Sequence, residues 1–179
     1  MAGSRRELNI FLGWMEPIDM PEVLAVERAC FEDSWSEEDF SKILDKKNVR
    51  GIVVEHEGEI VGFLIYKTNR RDVNILSIAV HPKYRRNGFG RQLLADRISN
   101  LSRKRQEKII LMVHESNLSA QLFFRDFNGE GVGFHAVFPV LRDFYKIAEG
   151  KWEDAYQMEY CPSPEAEEKT PTWHGQNRI

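Results

Sequence analysis

Cysteine is scarce in this chain of 179 residues, which contains only Cys30 and Cys161. Two cysteines so far apart form neither the disulfide framework of a small secreted domain nor a set of metal ligands. We therefore expect a protein of the cytoplasm, where thiols stay reduced, and no bound metal.

Long apolar runs are also missing. No stretch of 18 consecutive apolar residues occurs, and the apolar part of the first segment, MAGSRRELNIFLGWMEP, is too short for a signal peptide. These absences predict a protein that neither crosses a membrane nor carries a secretion signal.

Strong net charge is absent as well, because the balance is −3 at pH 7. Such a balance is not typical of a protein dedicated to nucleic acid. The stretch from Lys83 to Arg105 is locally basic, with eight basic residues and one acid, but it has few aromatic side chains on which bases could stack. RNA binding is therefore the weaker interpretation of this stretch, and we expect no direct contact with nucleic acid.

What the chain does contain is enough apolar material for one core, since 42% of its residues are hydrophobic. We assign residues 1–160 to a single domain. The segment after it, CPSPEAEEKTPTWHGQNRI, is polar, rich in proline and without periodicity. This composition predicts a disordered tail over residues 161–179.

Hydrophobic periodicity predicts helices that alternate with strands. Helical spacing begins near Pro21, after Ser36, after Gly88 and after Asn117; Ser36 and Asn117 are typical N-cap residues, and Asp39 follows Ser36 at capping-box distance. Glu57-Gly58 between two β-rich runs predicts a hairpin. The predicted strands are LNIFLGW, RGIVVEH, EIVGFLIYKT, DVNILSIAVHP, KIILMVHES, GFHAVF and DAYQMEY.

One short segment, VHPKYRRNGFGRQLL, joins a predicted strand to a predicted helix. Glycines at positions 88 and 90 allow a ligand to approach the backbone, and the first helical turn presents unpaired N–H groups together with the positive end of the helix dipole. These features predict a phosphate-binding turn, with a plain loop and a solvated basic face as the alternative. The arginines that can add charge-assisted bonds are Arg85, Arg86 and Arg91.

Neither the Rossmann nor the Walker pattern matches this spacing. Over residues 8–160 the chain instead resembles the GNAT superfamily of acetyl-CoA-dependent N-acetyltransferases. LSIAVHPKYRRNGFGRQLL is similar to the pyrophosphate motif Q/R-x-x-G-x-G/A of that family, and ILMVHESNLSAQLFFRDF to its second cofactor motif. MPEVLAVERACFEDSWSEEDF and VLRDFY with EDAYQMEY resemble the bacterial ribosomal-protein alanine N-acetyltransferase branch.

The resemblance implies an α/β (α+β) GNAT fold, with a mixed, mostly antiparallel sheet of about seven strands flanked by about four helices. It also implies acetyl-CoA as co-substrate, attacked directly by an amine in a ternary complex, with Val80 N–H among the oxyanion donors. The pantetheine arm would bind backbone groups of Ile78, Ala79 and Val80, and Asn117 would contact the pantetheine or the adenine side. The pyrophosphate would bind Arg85, Arg86, Asn87, Gly88, Phe89, Gly90 and Arg91.

Two positions depart from the branch pattern. Met112 stands where the branch has a glutamate base, and Phe124 stands where it has a tyrosine acid. The simplest interpretation is that the side chains of Met112 and Phe124 belong to the hydrophobic core. The segment DFNGEGVGF is also longer than the turn expected beside the acceptor groove.

Several side chains could replace the missing groups. His114 lies on the same strand face as Met112 and has an imidazole suited to neutral pH, and a solvated strand-end histidine is the plain alternative. Glu27 at the end of the first helix, Glu115, and Ser77 through a water are other candidate bases. Tyr145 is the candidate acid, and Phe144 with Tyr145 resembles an aromatic pair that walls the acceptor peptide in N-terminal acetyltransferases; sheet packing is its plain alternative.

Three functions fit these features. The first is acetylation of a protein N-terminal α-amine, for example on a ribosomal protein. The second is acetylation of a small amine such as a polyamine or an aminoglycoside. The third is a non-catalytic acyl-CoA-binding module, which the missing base and acid favour. An α-amine, with a pKa of about 7.7 to 8.0 against about 10.4 for lysine, depends least on an enzymic base.

Overall fold

The structure, a computed structural model, describes residues 10–101, 107–127 and 133–162. Four α-helices are present in these ranges: α1 Met20–Cys30, α2 Glu37–Leu44, α3 Phe89–Ser99 and α4 Leu118–Arg125. Seven strands accompany them: β1 Ile10–Trp14, β2 Val49–His56, β3 Glu59–Thr68, β4 Asp72–Val80, β5 Lys108–His114, β6 His135–Ala148 and β7 Lys151–Tyr160.

The seven strands form one sheet in the order β1-β2-β3-β4-β5-β7-β6. The pairs β1–β2, β5–β7 and β6–β7 are antiparallel, whereas β4–β5 is parallel. The predicted α/β fold with a mixed sheet and four helices is therefore confirmed. The segments 128–132 and 163–179, which hold most of the predicted insertion and tail, lie outside the described residues.

Local sequence signals account for the turns and caps. Glu57 and Gly58 both have positive φ, 53° and 86°, as the two-residue turn between β2 and β3 requires. At the start of α2, Ser36 Oγ accepts from the N–H of Asp39, and the Asp39 carboxylate accepts from the N–H of Ser36. The predicted hairpin and the predicted cap are both confirmed.

Contacts divide the described residues into two compact units. The first comprises residues 10–65 and 77–96, and the second residues 66–76, 97–101, 107–127 and 133–162. The assignment of residues 1–160 to one domain stays a prediction.

The first unit has its core between α1, α2 and the strands β2 to β4. The ring of Phe40 lies edge-on to those of Trp35 and Phe63, at centroid distances of 5.4 and 5.7 Å. The buried members of this cluster are Val23, Val26, Phe40, Val49, Val53, Phe63, Ile65 and Ala79.

The second unit buries one face of β5. Along β5, buried Ile109, Leu111 and Val113 alternate with half-buried side chains, so the strand presents one dry face and one open face. Aromatic rings complete the dry core: Phe124, Phe127 and Tyr160 each pack against Phe134.

Strand β6 is longer than the sequence predicted. GFHAVF indicated a strand that ends at Phe138, whereas β6 continues to Ala148. Register shifts interrupt its pairing with β7 on both sides of Leu141, and Asp143 has a φ of +49°. These irregularities break the alternation of apolar residues, which is why the pattern ended early.

Candidate functional site

The turn between β4 and α3 has an anion-binding geometry. The N–H of Gln92 donates to Gly88 O at 3.0 Å, so Gly88 is the N-cap residue and Phe89, Gly90 and Arg91 form the first turn. The first N–H groups of a helix have no acceptor within it. The backbone therefore presents several donors and the positive end of the α3 dipole at one place.

Gly88 is needed for its backbone conformation. Its φ is +85°, and a Cβ added to it would meet nothing within 4 Å. A side chain at this position would be strained by φ, and it would occupy open space in front of the turn. Arg86 has a positive φ of 67° as well, so two left-handed residues shape the turn.

Side-chain hydrogen bonds and one buried ring hold the loop of this turn in place. Tyr84 Oη donates to Glu59 Oε2 at 2.7 Å, Asn87 Nδ2 donates to Tyr84 O, and Phe89 is buried. Arg85 bends back, so that its Nε donates to Val80 O at 3.1 Å. A ligand would therefore meet mainly the backbone groups of Arg85, Asn87 and Phe89. The Arg86 side chain is exposed.

The last residues of β4 adjoin this turn. Strand β4 pairs with β5 from Asp72 to Asn74, so Ile78, Ala79 and Val80 lie beyond the part that pairs with β5. The Val80 carbonyl accepts from Cys30 Sγ at 3.4 Å as well as from Arg85. Burial raises the pKa of the Cys30 thiol, which therefore stays protonated and able to donate.

The second unit holds a cluster around His114, at the end of β5. The imidazole stacks on the Tyr145 ring with a centroid distance of 3.5 Å and an angle of 10° between the planes. Its Nδ1 lies 3.1 Å from Glu153 Oε2, which also accepts from Ser116 Oγ at 2.8 Å. Two predicted catalytic residues, His114 and Tyr145, are thus in contact.

Two ionisable groups of this cluster have shifted pKa values. Hydrogen bonds from Ser116 and His114 hold the pKa of Glu153 below its ordinary value, so this carboxylate is ionised near neutrality. Burial raises the pKa of Tyr145, which keeps its phenol protonated. The cluster therefore contains a carboxylate acceptor, an imidazole and a phenolic donor.

Glu153 and Ser116 were not predicted from the sequence. Tyr145 pairs with Glu153 across β6 and β7, and His114 pairs with Ala155 across β5 and β7. Residues 153 and 155 of one strand share a face, so Glu153 lies on the same face of the sheet as His114 and Tyr145 and its carboxylate reaches His114 Nδ1. The register of the β6–β7 hairpin, set by its turn at Glu149-Gly150, is the signal that would have found it.

The other predicted residues occupy varied places. Phe144 is 45% exposed and meets Tyr145 edge-on, and Asn117 Oδ1 accepts from the N–H of Ala120 as the cap of α4. Met112 is half-buried, two residues before His114 on β5. Phe124 is buried against Phe134, so its ring belongs to the core.

Glu27 lies in the first unit, not in the His114 cluster. Its side chain is 2% exposed, and its Oε1 accepts from the N–H of Trp35 at 2.9 Å. Oε2 has no hydrogen-bond partner within the described part of the chain. Burial raises the pKa of this carboxyl group.

Residues 20–129 match the sequence profile of the Acetyltransferase (GNAT) family, a span that includes both the β4–α3 turn and α4. The chain belongs to this family. It is therefore an N-acetyltransferase of the GNAT type, as the resemblance implied.

Relatives within the GNAT family carry a specific name. The chain is 27% identical over 144 residues to the ribosomal protein bS18 alanine N-acetyltransferase of Escherichia coli strain K12, covering 80% of this chain and 92% of the relative. It is 27% identical over 146 residues to the enzyme of the same name from Haemophilus influenzae, covering 80% and 93%. A crystal structure of the Escherichia coli ribosomal-protein-S18-alanine N-acetyltransferase matches with a TM-score of 0.72 and 25% identity, covering 85% of this chain and 93% of that one.

Among the helices of the described ranges, none is both long and apolar enough to span a membrane. Within the same ranges, no group of three or more histidine, cysteine, aspartate or glutamate side chains is arranged to hold a metal ion.

Proposed function

We propose that this GNAT enzyme transfers the acetyl group of acetyl-CoA to the N-terminal α-amine of a protein, such as a ribosomal protein. The observation that carries the cofactor half of the proposal is the open turn at Gly88. Its backbone donors and helix dipole suit a pyrophosphate, whose charge they would neutralise without a metal.

The residues that would hold acetyl-CoA follow from the same geometry. Backbone groups of residues 85–91 would bind the pyrophosphate, and the exposed Arg86 guanidinium would add a charge-assisted bond. Residues 78–80 lie beyond the part of β4 that pairs with β5, which supports their predicted role toward the pantetheine arm. Asn117 would reach the cofactor with Nδ2, since its Oδ1 already caps α4.

The chemistry is an acyl transfer without a covalent enzyme intermediate. The amine nitrogen attacks the thioester carbonyl carbon, the oxygen gains negative charge, and the C–S bond then breaks as the carbonyl re-forms. The protein supplies position and backbone donors such as the N–H of Val80. Glu27, His114 and Tyr145 remain the candidates for moving protons.

The acceptor half of the proposal is supported by the relatives named for an alanine N-acetyltransferase, each of which aligns with 80% of this chain. Phe144 and Tyr145 support it too, because one is partly exposed and the other stacks on His114. Together they would give an extended peptide an aromatic wall. A ribosomal acceptor would place the reaction in the cytoplasm.

The test is acetyl-CoA turnover with matched acceptors. A peptide that begins with a free alanine is compared with spermidine and with an aminoglycoside at equal concentration. We expect the peptide to have the largest kcat/KM by at least about tenfold. A larger kcat/KM for a small amine would replace the proposal with small-molecule acetylation, and binding of acetyl-CoA without turnover of any amine would contradict an acetyltransferase acting on these acceptors.

A further inference from the structure

The His114 cluster is built like a carboxylate–histidine pair. Glu153 Oε2 lies within hydrogen-bond distance of both His114 Nδ1 and Ser116 Oγ. A carboxylate can only accept, so Nδ1 must carry the proton that it shares with Glu153. The neutral imidazole then has its lone pair on Nε2.

We infer that His114 is the general base of the reaction and that Glu153 and Ser116 are its positioning residues. The inference rests on the proposed function, since it names the group that takes the proton from the acceptor ammonium. One N–H bond of the ammonium breaks as its proton moves to Nε2, and the freed lone pair attacks the thioester. The proton lost after attack goes to the departing thiolate, while His114 returns its own proton to water.

Several features support a fixed imidazole. The Tyr145 ring stacks on it at 3.5 Å, and a stacked aromatic face favours the imidazolium that forms when Nε2 is protonated. Gln121 Nε2 donates to the backbone carbonyls of His114 and Glu115, which holds the strand end in place. The imidazole ring is thus held by stacking on Tyr145, and its backbone is held by the bond from Gln121. The tautomer is fixed by the bond to Glu153.

The position of His114 on β5 also supports its role as the general base. His114 lies two residues after Met112 on the open face of the strand, about 7 Å along it. Met112 occupies the place of the missing glutamate, and a thioether cannot accept a proton at neutral pH. Beyond Met112, the one ionisable side chain on this face of β5 is that of His114.

Among the described residues, two titratable side chains contact the imidazole. Strand β7 contributes Glu153, whose charge Lys151 partly offsets, and β6 contributes the Tyr145 phenol. Glu153 is the one of these whose carboxylate is bonded to the ring. Glu153→Gln, whose amide can donate as well as accept, should therefore remove the preference for the proton on Nδ1.

The tautomer can be read directly by NMR with imidazole nitrogens labelled with ¹⁵N. His114→Gln identifies the His114 signals, because the chain has five histidines. At pH 7.5 we expect the Nδ1–H form in the parent protein and a loss of this preference in Glu153→Gln. Glu149→Gln, an exposed carboxylate in the β6–β7 turn, should leave it unchanged. An Nε2–H form in the parent, or no change in Glu153→Gln, would overturn the positioning role.

Kinetics then test the base. With a free N-terminal peptide we expect His114→Gln to lower kcat about 100-fold. Glu153→Gln, which no longer offers a carboxylate to Nδ1, should lower kcat about tenfold with KM unchanged. Ser116→Ala, which removes one of the two donors to Glu153 Oε2, should lower kcat less than Glu153→Gln does, with KM unchanged, and it tests the positioning role if Glu153→Gln fails to fold.

The outcomes separate this inference from the proposed function. N-terminal acetylation that persists at the parent rate in His114→Gln would overturn the base and leave the function standing. A parent protein that acetylates no N-terminus while His114 has the expected tautomer would overturn the function instead.

Discussion

Single residues decide what the turn between β4 and α3 can bind. Gly88 adopts a conformation that other residues adopt only under strain, and open space lies in front of it. Arg85, which the sequence offers as a phosphate ligand, turns its Nε to the Val80 carbonyl. The site is thus made mainly of backbone, and its affinity should depend on the absence of a side chain at position 88.

Gly88→Ala tests this dependence, with Gly58→Ala as its matched control. Gly58 has nearly the same φ, +86°, and an added Cβ there would also meet nothing within 4 Å. Both substitutions should cost about 1 kcal/mol of unfolding free energy. Calorimetry should show weaker acetyl-CoA binding in Gly88→Ala alone. Equal affinities in the two variants would remove the turn as the pyrophosphate site.

Glu27 carries a second prediction at this scale, because a buried carboxylate without a partner for Oε2 is costly when ionised. Its pKa is raised above the ordinary 4.5, so the folded protein keeps this proton to higher pH than the unfolded chain does. The resulting stability is fully present below about pH 4.5 and is lost as the pH rises through the folded pKa. Glu27→Gln, which keeps an acceptor for Trp35 N–H, should therefore gain stability relative to the parent as the pH rises.

Urea unfolding at pH 4.5, 6 and 8 measures that gain. Glu22→Gln is the matched control, because Glu22 lies on the same helix, is exposed, and also accepts from a backbone N–H, that of Ile60. The effect of Glu22→Gln on the free energy of unfolding should vary little with pH. The same pH dependence in both variants would contradict the effect of burial.

At the scale of elements, short sequence patterns predicted the helix caps and the hairpin turn. The Ser36–Asp39 cap, the Asn117 cap and the Glu57-Gly58 turn each depend on a few neighbouring residues, and all three are present. The length of β6 depends instead on how its bulges fit β7, which no short pattern encodes. Glu153 was missed for the same reason, since its contact with His114 spans 39 positions of the chain.

The α4 cap provides the prediction for this scale. Asn117→Ala should lower the unfolding free energy by about 1 kcal/mol, and Ser36→Ala should do the same at α2. Asn117→Asp keeps the capping oxygen but loses the amide donor, so it should retain stability while its Kd for acetyl-CoA rises about two- to tenfold. Unchanged affinity in both Asn117 variants would leave Asn117 as a cap only.

At the scale of the whole molecule, motifs identified the family more fully than they identified the catalytic groups. The segment that resembles the pyrophosphate motif is one continuous stretch that leads into α3, so it could be found from the sequence alone. The candidate proton-transfer groups lie on elements distant in sequence, and the chain departs from the branch pattern at Met112 and Phe124. That departure favours an acceptor that is easily deprotonated.

The difference between acceptors is large. At pH 7.4 roughly a quarter of α-amines are neutral, but only about one lysine in a thousand, so deprotonation costs about 4 kcal/mol for lysine and less than about 1 kcal/mol for an α-amine. A thiol with a pKa of about 8.5 also leaves readily as a thiolate, which makes the loss of a tyrosine at position 124 tolerable. An enzyme with a modest base should therefore act on N-termini.

The most direct measurement gives the enzyme one peptide that carries both a free N-terminal alanine and an internal lysine. The peptide is incubated with acetyl-CoA at pH 7.4, and the acetylated position is mapped by tandem mass spectrometry, with an N-terminally blocked copy as the control. We expect acetylation on the α-amine and no product from the blocked copy. Acetylation on the lysine, or equal rates for the free and the blocked peptide, would contradict the account.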